Sequence, residues 1–365
     1  MFGGKPDKDR IARLADQLDR LTAKSSLAEA QEDGDVICLG CAQRCRIAPG
    51  QRGVCRMRSN RPDKKGKPAL WVPWGYVSGL AVDPIEKKPL FHVLPGREAL
   101  SFGMLGCNLK CSFCQNWITS QVLRDAAASG ALQEIEPEDI VAFALERGAP
   151  VIASTYNEPL ITAEWAAEIM RQGKEKGLRG AFVSNGFASP EVLEYLRPVL
   201  DVYKVDLKTF QDENYRQLGG RLQPVLDTIR RAHEMGYWVE VVTLVIPGFN
   251  NSEGELRDMA QFIAAVSLDI PWHVTAFHPD YHKTEGERPT APHDIARAAQ
   301  AGADAGLKFV YSGNLRGALA DLENTSCPRC GATLIQRAGY AISLMRLGPS
   351  GQCPECKERI PGIWA

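Results

Sequence analysis

The run Cys107-Asn108-Leu109-Lys110-Cys111-Ser112-Phe113-Cys114 puts three thiols within eight residues, in a C-x3-C-x2-C spacing. It follows Ser101–Gly106, a short run before the first cysteine that reads as a strand. Three thiolates so close together can wrap three corners of a [4Fe–4S] cube, which ordinarily takes four. One iron is then left open to an exogenous group. That opening serves a catalyst and gives an electron carrier nothing. Zinc can also take three cysteines and a water, but zinc sites usually arrive as C-x2-C pairs, so the spacing favours iron–sulfur.

The other cysteines are grouped as well. Cys38, Cys41, Cys45 and Cys55 precede this run, and Cys327, Cys330, Cys353 and Cys356 follow it, so none of the 11 cysteines stands alone. The last four form two C-x2-C knuckles, Cys327-Pro-Arg-Cys330 and Cys353-Pro-Glu-Cys356. Four sulfurs in that arrangement fit a structural zinc ribbon, and an iron in a rubredoxin-like site fits nearly as well. The first four have uneven spacing and read equally as zinc or as an auxiliary iron–sulfur cluster.

Around these groups the chain is ordinary: 365 residues, 44% hydrophobic, 24% charged, with a formal net charge of −1. Such balance argues against a protein that coats nucleic acid or an anionic membrane. Nine Lys/Arg and a single acid, Asp63, lie between Cys38 and Lys67, but no aromatic recognition motif accompanies them. Val239–Phe249 is interrupted by Glu240 and Thr243 and falls short of the roughly 18 apolar residues of a membrane span. The opening MFGGKPDKDR lacks the apolar core of a secretory signal. A cytoplasmic location is expected, where many thiols signal metal more often than disulfides.

The chain divides into an N-terminal amphipathic helix with a tail (1–35), a four-cysteine metal module (36–95), an α/β region (96–322) and a ribbon-like module (323–365). Ile11, Leu14, Leu18 and Leu21 carry the helix stripe. In the α/β region the expected strands are Ser101–Gly106, Val151–Tyr156, Ala181–Ser184, Val202–Leu207, Val239–Ile246, His273–Phe277 and Lys308–Tyr311. Helix starts lie between them, at Glu136-Pro137-Glu138-Asp139 and Ser189-Pro190-Glu191. Repeated β–α units imply a parallel sheet. Six or seven are too few for a closed eight-stranded barrel, so a partial barrel or an open sheet is expected.

With Phe113 before its last cysteine, the run at 107–114 resembles the signature of the radical S-adenosylmethionine (radical SAM) superfamily. The later strand ends agree in order: Tyr156-Asn157-Glu158-Pro159, Ser184-Asn185-Gly186, Asp206-Leu207-Lys208, Ile246-Pro247-Gly248 and Phe277-His278-Pro279. The pattern is most similar to the pyruvate formate-lyase activating enzyme branch. Val82–Leu90, Cys114-Gln115-Asn116-Trp117 and Thr155–Pro159 look like the radical SAM member of the AmmeMemoRadiSam system.

This resemblance implies a partial (β/α)6-type barrel flanked by two small four-cysteine modules. It also implies reductive cleavage of S-adenosylmethionine to a 5′-deoxyadenosyl radical that abstracts hydrogen from a substrate. Cys107, Cys111 and Cys114 would hold the [4Fe–4S] cluster. Asn157 and Glu158 would hold the methionine end, Ser184, Asn185, Asp206 and Lys208 the carboxylate and ribose, and His278 would lie near the nucleoside. A flavodoxin or ferredoxin would donate electrons, and the substrate would be a protein or peptide.

Other readings of the same residues exist. Asp206 and Lys208 could be a plain ion pair, His278 a structural histidine, and His273, His278 and His282 a metal site. Activation of a glycyl-radical partner is an alternative within the enzyme class. Activating enzymes with extra clusters insert them after the radical SAM cysteines, however, whereas here the group comes first. A non-catalytic electron-transfer or metal-binding scaffold is the alternative outside it.

Overall fold

The computed structural model describes residues 8–365 apart from 285 and 316; the first seven residues of the expected N-terminal segment lie outside the described residues. The chain divides into two compact units, Met1–Val82 with Leu100–Asp201 and Gln217–Gly220, and Asp83–Ala99 with Val202–Arg216 and Arg221–Ala365.

In the first unit, the helix α1 spans Lys8–Arg20. The tail beyond it is not formless: Thr22–Lys24 pairs antiparallel with Pro68–Pro73, and Ala28–Ala30 with Val36–Cys38. Val36, Ile47, Leu70 and Val72 pack with Cys38 into a small apolar core beneath the first cysteine group. The strands β1 (Gly79–Pro84), β2 (Glu98–Gly103), β3 (Val151–Ser154) and β4 (Arg179–Ser184) then lie side by side in that order. β3 and β4 are parallel, with Val151 opposite Arg179. Two of the helices between them start where expected. In α2 (Pro137–Glu146), Pro137 fills a position whose N–H has no partner, and Glu138 and Asp139 sit at the positive end of the dipole. α3 spans Ala163–Glu175. α4 (Pro190–Leu196) is capped by Ser189, whose Oγ accepts from Val192 N at 3.2 Å.

In the second unit, β5 (Val202–Asp206), β6 (Trp238–Val245), β7 (Trp272–Ala276) and β8 (Val310–Gly313) are parallel in sequence order. The helices α5 (Leu222–Glu234), α6 (Glu253–Val266) and α7 (Pro292–Asp304) connect them. β5 and β6 are almost wholly buried and rich in β-branched residues, as strands covered on both faces must be. All seven expected strands are present, with ends displaced by up to three residues. β1 was not anticipated from the sequence. It begins with Gly79 and ends with Pro84, and none of its residues is fully buried, so neither alternation nor an apolar run marks it. No described helix is long and apolar enough to cross a membrane.

A buried polar network holds this unit together. Glu240 on β6 accepts from Phe91 N and His92 N, both at 3.0 Å, and from His273 Nε2 at 2.6 Å. His92 donates from Nδ1 to the Pro361 carbonyl at 2.7 Å, leaving Nε2 to accept from the Tyr311 hydroxyl at 2.7 Å. Arg337 from the C-terminal ribbon donates to Thr325 Oγ1 at 2.8 Å and to the Phe91 carbonyl at 2.9 Å. Each of these side chains is buried, so each bond replaces one that water can no longer make.

Burial brings the His92 pKa down to about 4, because a charged ring there has no water; Glu240 opposes the shift only in part. The folded state therefore binds fewer protons than the unfolded one between pH 4 and about 6.5. Stability linked to His92 is complete above about pH 6.5 and is lost as pH falls towards 4, by at most roughly 3 kcal/mol. Protection factors of residues 86–94 and 360–364, which correct for the intrinsic pH dependence of exchange, are expected to fall across that window as pH drops. In His92→Gln they are expected to be lower at pH 7 and to depend less steeply on pH, His273 keeping its own share. An equally steep dependence in the variant would assign the titration elsewhere.

Candidate active site

The three-cysteine run leaves the carboxyl end of β2. Leu109 N donates to Cys107 Sγ at 3.3 Å, Asn185 Nδ2 lies 3.8 Å from the same sulfur, and Ser120 Oγ lies 3.2 Å from Cys114 Sγ. Burial above all, then the Glu158 carboxylate and the two neighbouring thiols, pushes the Cys107 thiol well above its ordinary value. A bare thiolate is disfavoured there, while N–H groups are aimed at the sulfur. That combination suits sulfur bound to a cation, and an iron–sulfur cluster fits the donor set.

Beside the cysteines, one carboxylate organises two further strand ends. Glu158, 3% exposed, follows β3. Its Oε1 accepts from Ser184 Oγ at 2.7 Å and from Leu160 N at 3.1 Å, and its Oε2 from Asn185 N at 2.8 Å. Its own N–H donates to the Gly106 carbonyl at 3.3 Å. Asn157 Oδ1 accepts from Met104 N at 3.0 Å, which also ties this loop to the chain just before Cys107. Close approach of the two loops requires Gly103, since a β-carbon there would lie 2.5 Å from the Thr155 carbonyl and 2.7 Å from Tyr156 Cβ. Tyr156 itself sits at φ 67°, a strained setting that turns the loop towards the cysteines.

Asn157, Glu158, Ser184 and Asn185 thus gather with Cys107 in the first unit. Asp206, Lys208 and His278 belong to the second. Asp206 ends β5 between two ammonium groups, Lys204, in short contact, and Lys208 at 3.4 Å. Burial raises the Asp206 pKa, but the two lysines outweigh it and hold the carboxyl below its usual range. His278 follows β7 and is exposed. His273 is committed to Glu240, and among the described residues the three histidines form no ligand group.

The C-terminal cysteines do form one. All four sulfurs lie within 4.8 Å of one another, with 3.5 Å between Cys327 and Cys356 and 3.7 Å between Cys330 and Cys353. Four converging thiols leave no coordination position for a substrate.

The family model described as "Radical SAM superfamily" matches residues 103–263, the stretch that carries the cysteine loop and the strand ends at Asn157, Glu158, Ser184, Asn185, Asp206 and Lys208. The chain belongs to the radical SAM superfamily. An uncharacterised protein of Methanocaldococcus jannaschii is 36% identical over 335 residues, which is 91% of this chain and 97% of that protein. The pyruvate formate-lyase-activating enzyme of Clostridium pasteurianum is 25% identical over 46% of this chain and 70% of its own length. The GTP 3′,8-cyclase of Aquifex aeolicus is 29% identical over 45% of this chain and 52% of that enzyme. Radical SAM proteins are enzymes that use a [4Fe–4S] cluster and S-adenosylmethionine, and this chain carries both the fold and the cysteine loop.

Several site residues gave no signal in the sequence. Asn108 reads as a spacer between cysteines but is 1% exposed and accepts from Asn185 Nδ2 at 2.7 Å. Ser120 reads as part of a linker. Arg58 and Glu164, buried and 2.6 Å apart, are 106 residues apart in sequence, and only a contact map could join them.

Two outcomes follow from this geometry. Glu158→Ala leaves Leu160 N, Ser184 and Asn185 without their acceptor and removes a charged partner, a loss of about 1.5–3 kcal/mol. S-adenosylmethionine affinity should fall roughly tenfold or more in calorimetry, with iron content unchanged; an unaltered isotherm would leave Glu158 a structural clamp alone. Cys353→Ser should cost the ribbon its metal and raise hydrogen exchange over residues 323–365, while iron bound at Cys107, Cys111 and Cys114 is retained.

Proposed function

We propose that this chain is a radical SAM enzyme whose substrate is a protein or peptide. The observation that carries the reading is the convergence on Cys107 of the loops after β2, β3 and β4, fastened by Glu158. When bound, a reduced [4Fe–4S] cluster together with S-adenosylmethionine supplies reductive cleavage to a 5′-deoxyadenosyl radical, which abstracts hydrogen from carbon. The chain's own residues place and shield that chemistry. Asn157 and Glu158 would receive the methionine end, Ser184, Asn185, Asp206 and Lys208 the carboxylate and ribose, and His278 would lie near the nucleoside. The desolvated wall around Glu158, Ser184 and Asn185 keeps water from the reacting centre.

A macromolecular substrate is supported by the basic module at 38–67 and by the ribbon, both of a kind that docks chains. Zinc in the ribbon is supported by the tight, closed set of sulfurs. Electrons would come from a ferredoxin or flavodoxin, as the cluster chemistry requires. Activation of a glycyl-radical partner is the second reading, favoured by the relative named as a pyruvate formate-lyase-activating enzyme.

Anaerobic reconstitution followed by dithionite and S-adenosylmethionine should yield 5′-deoxyadenosine and methionine. Replacing Cys107, Cys111 or Cys114 by Ala should abolish the yield with ribbon metal content unchanged. Continued 5′-deoxyadenosine formation by the triple Ala variant would overturn the assignment of this loop.

A further inference from the structure

In the N-terminal module, three of the four sulfurs meet an N–H donor. Val54 N donates to Cys45 Sγ at 3.4 Å, and Met57 N to Cys55 Sγ at 3.5 Å. The Arg58 guanidinium lies 3.9 Å from Cys38 Sγ. The Asn108 side chain lies beside the fourth, Cys41, with its Nδ2 unpartnered. Donors of this kind suit sulfur that carries negative charge, as a metal-bound thiolate does. Arg58 is itself 2% exposed and bonds both Glu164 oxygens, at 2.6 and 3.1 Å. Gly40, between the first two cysteines, makes room for it: a β-carbon there would lie 2.5 Å from Arg58 Nη1.

The spread of the sulfurs separates a single ion from a cluster. Zinc–sulfur bonds of about 2.3 Å put tetrahedral sulfurs about 3.8 Å apart. The C-terminal ribbon meets that, with pairs at 3.5 and 3.7 Å. Among the described residues, which include every cysteine, no three sulfurs of the N-terminal four and no three of the Cys107 loop come within 4.8 Å of one another. The N-terminal four, like the three of the Cys107 loop, thus lack the closed spread that a single tetrahedral ion needs and the ribbon has.

Asn108 links these two settings. Its Oδ1 accepts from Asn185 at 2.7 Å and lies 3.8 Å from Cys107 Sγ. Its Nδ2 is buried and has no hydrogen-bond partner, an N–H donor left over on the side of Cys41.

We infer that Cys38, Cys41, Cys45 and Cys55 hold an auxiliary [4Fe–4S]-class cluster, with Asn108 as the positioning residue that couples it to the Cys107 loop. Four thiolates close every iron to substrate, so its chemistry is one-electron exchange. The electron this cluster loses, passing from the 1+ to the 2+ state, is the one that the cluster on the Cys107 loop gains. A carrier of the ferredoxin or flavodoxin class restores it. An N–H dipole next to cluster sulfur favours the more negative, reduced state, so the spare Asn108 N–H beside Cys41 holds the auxiliary potential up. Only the second cluster rests on the proposed function; the first stands on its own ligands.

The test reads metal and potential without S-adenosylmethionine, on the full chain reconstituted with iron and sulfide. Wild type should carry about eight irons, and Cys107/Cys111/Cys114→Ala about four, with the Mössbauer doublet of [4Fe–4S]2+. About four irons and two zinc ions in wild type would overturn the auxiliary cluster. That count needs no variant to fold. Within the triple Ala background, Asn108→Leu should keep the iron and lower the midpoint potential in an EPR-monitored titration, and Asn108→Asp should lower it further. An unmoved potential at full iron content would remove Asn108 from the coupling. Absence of 5′-deoxyadenosine from a protein with eight irons would fail the proposed function and leave this inference intact.

Discussion

The Glu158 carboxylate is the constraint on which the site depends. It is a buried anion, and a buried anion is tolerable only where several donors converge on it. Those donors are the Leu160 amide, the Ser184 hydroxyl and the Asn185 amide, while its own N–H holds the Gly106 carbonyl one residue before Cys107. The side chain therefore joins the loops leaving β3 and β4, and the backbone N–H of the same residue ties them to the loop leaving β2. The need to satisfy the charge and the need to aim the cysteines are met by the same bonds. Gly103 permits this by lacking a side chain at the point where the loops touch.

The second unit uses a comparable device for a different end. Glu240 sits inside β6 and collects the amides of Phe91 and His92 together with His273. Through Tyr311, Thr325 and Arg337 the same network reaches the C-terminal ribbon. The interior interruption that rules out a membrane span in the sequence is thus the anchor of a polar core.

Much of this was legible in the sequence for identifiable reasons. β-branched runs bounded by glycine and proline gave the strands, and Ser189 and Pro137 gave helix starts, because capping is a local interaction. The cysteine loop was legible by its spacing as favouring an iron–sulfur site, and its further chemistry by resemblance. What stayed hidden depends on contacts between distant residues. Arg58 could not be paired with Glu164, nor Asn108 with Asn185, by any periodicity, and the short strands after α1 lack the length to show alternation. Glu158 was legible as a site residue, but its role in joining three loops was not.

The N-terminal module also bears on how the protein matures. Its cysteines are made first, yet the groups that seat it come much later in the chain. Arg58 needs Glu164, Ala42 N bonds the Phe187 carbonyl at 3.0 Å, and Ser189 Oγ holds the Leu39 carbonyl. Until about half of the polypeptide has been translated, these thiols have neither their countercharge nor their backbone supports. The first cysteines to leave the ribosome must therefore wait for residues 158–189 before they can be enclosed, which makes completion of this module a late step of biogenesis.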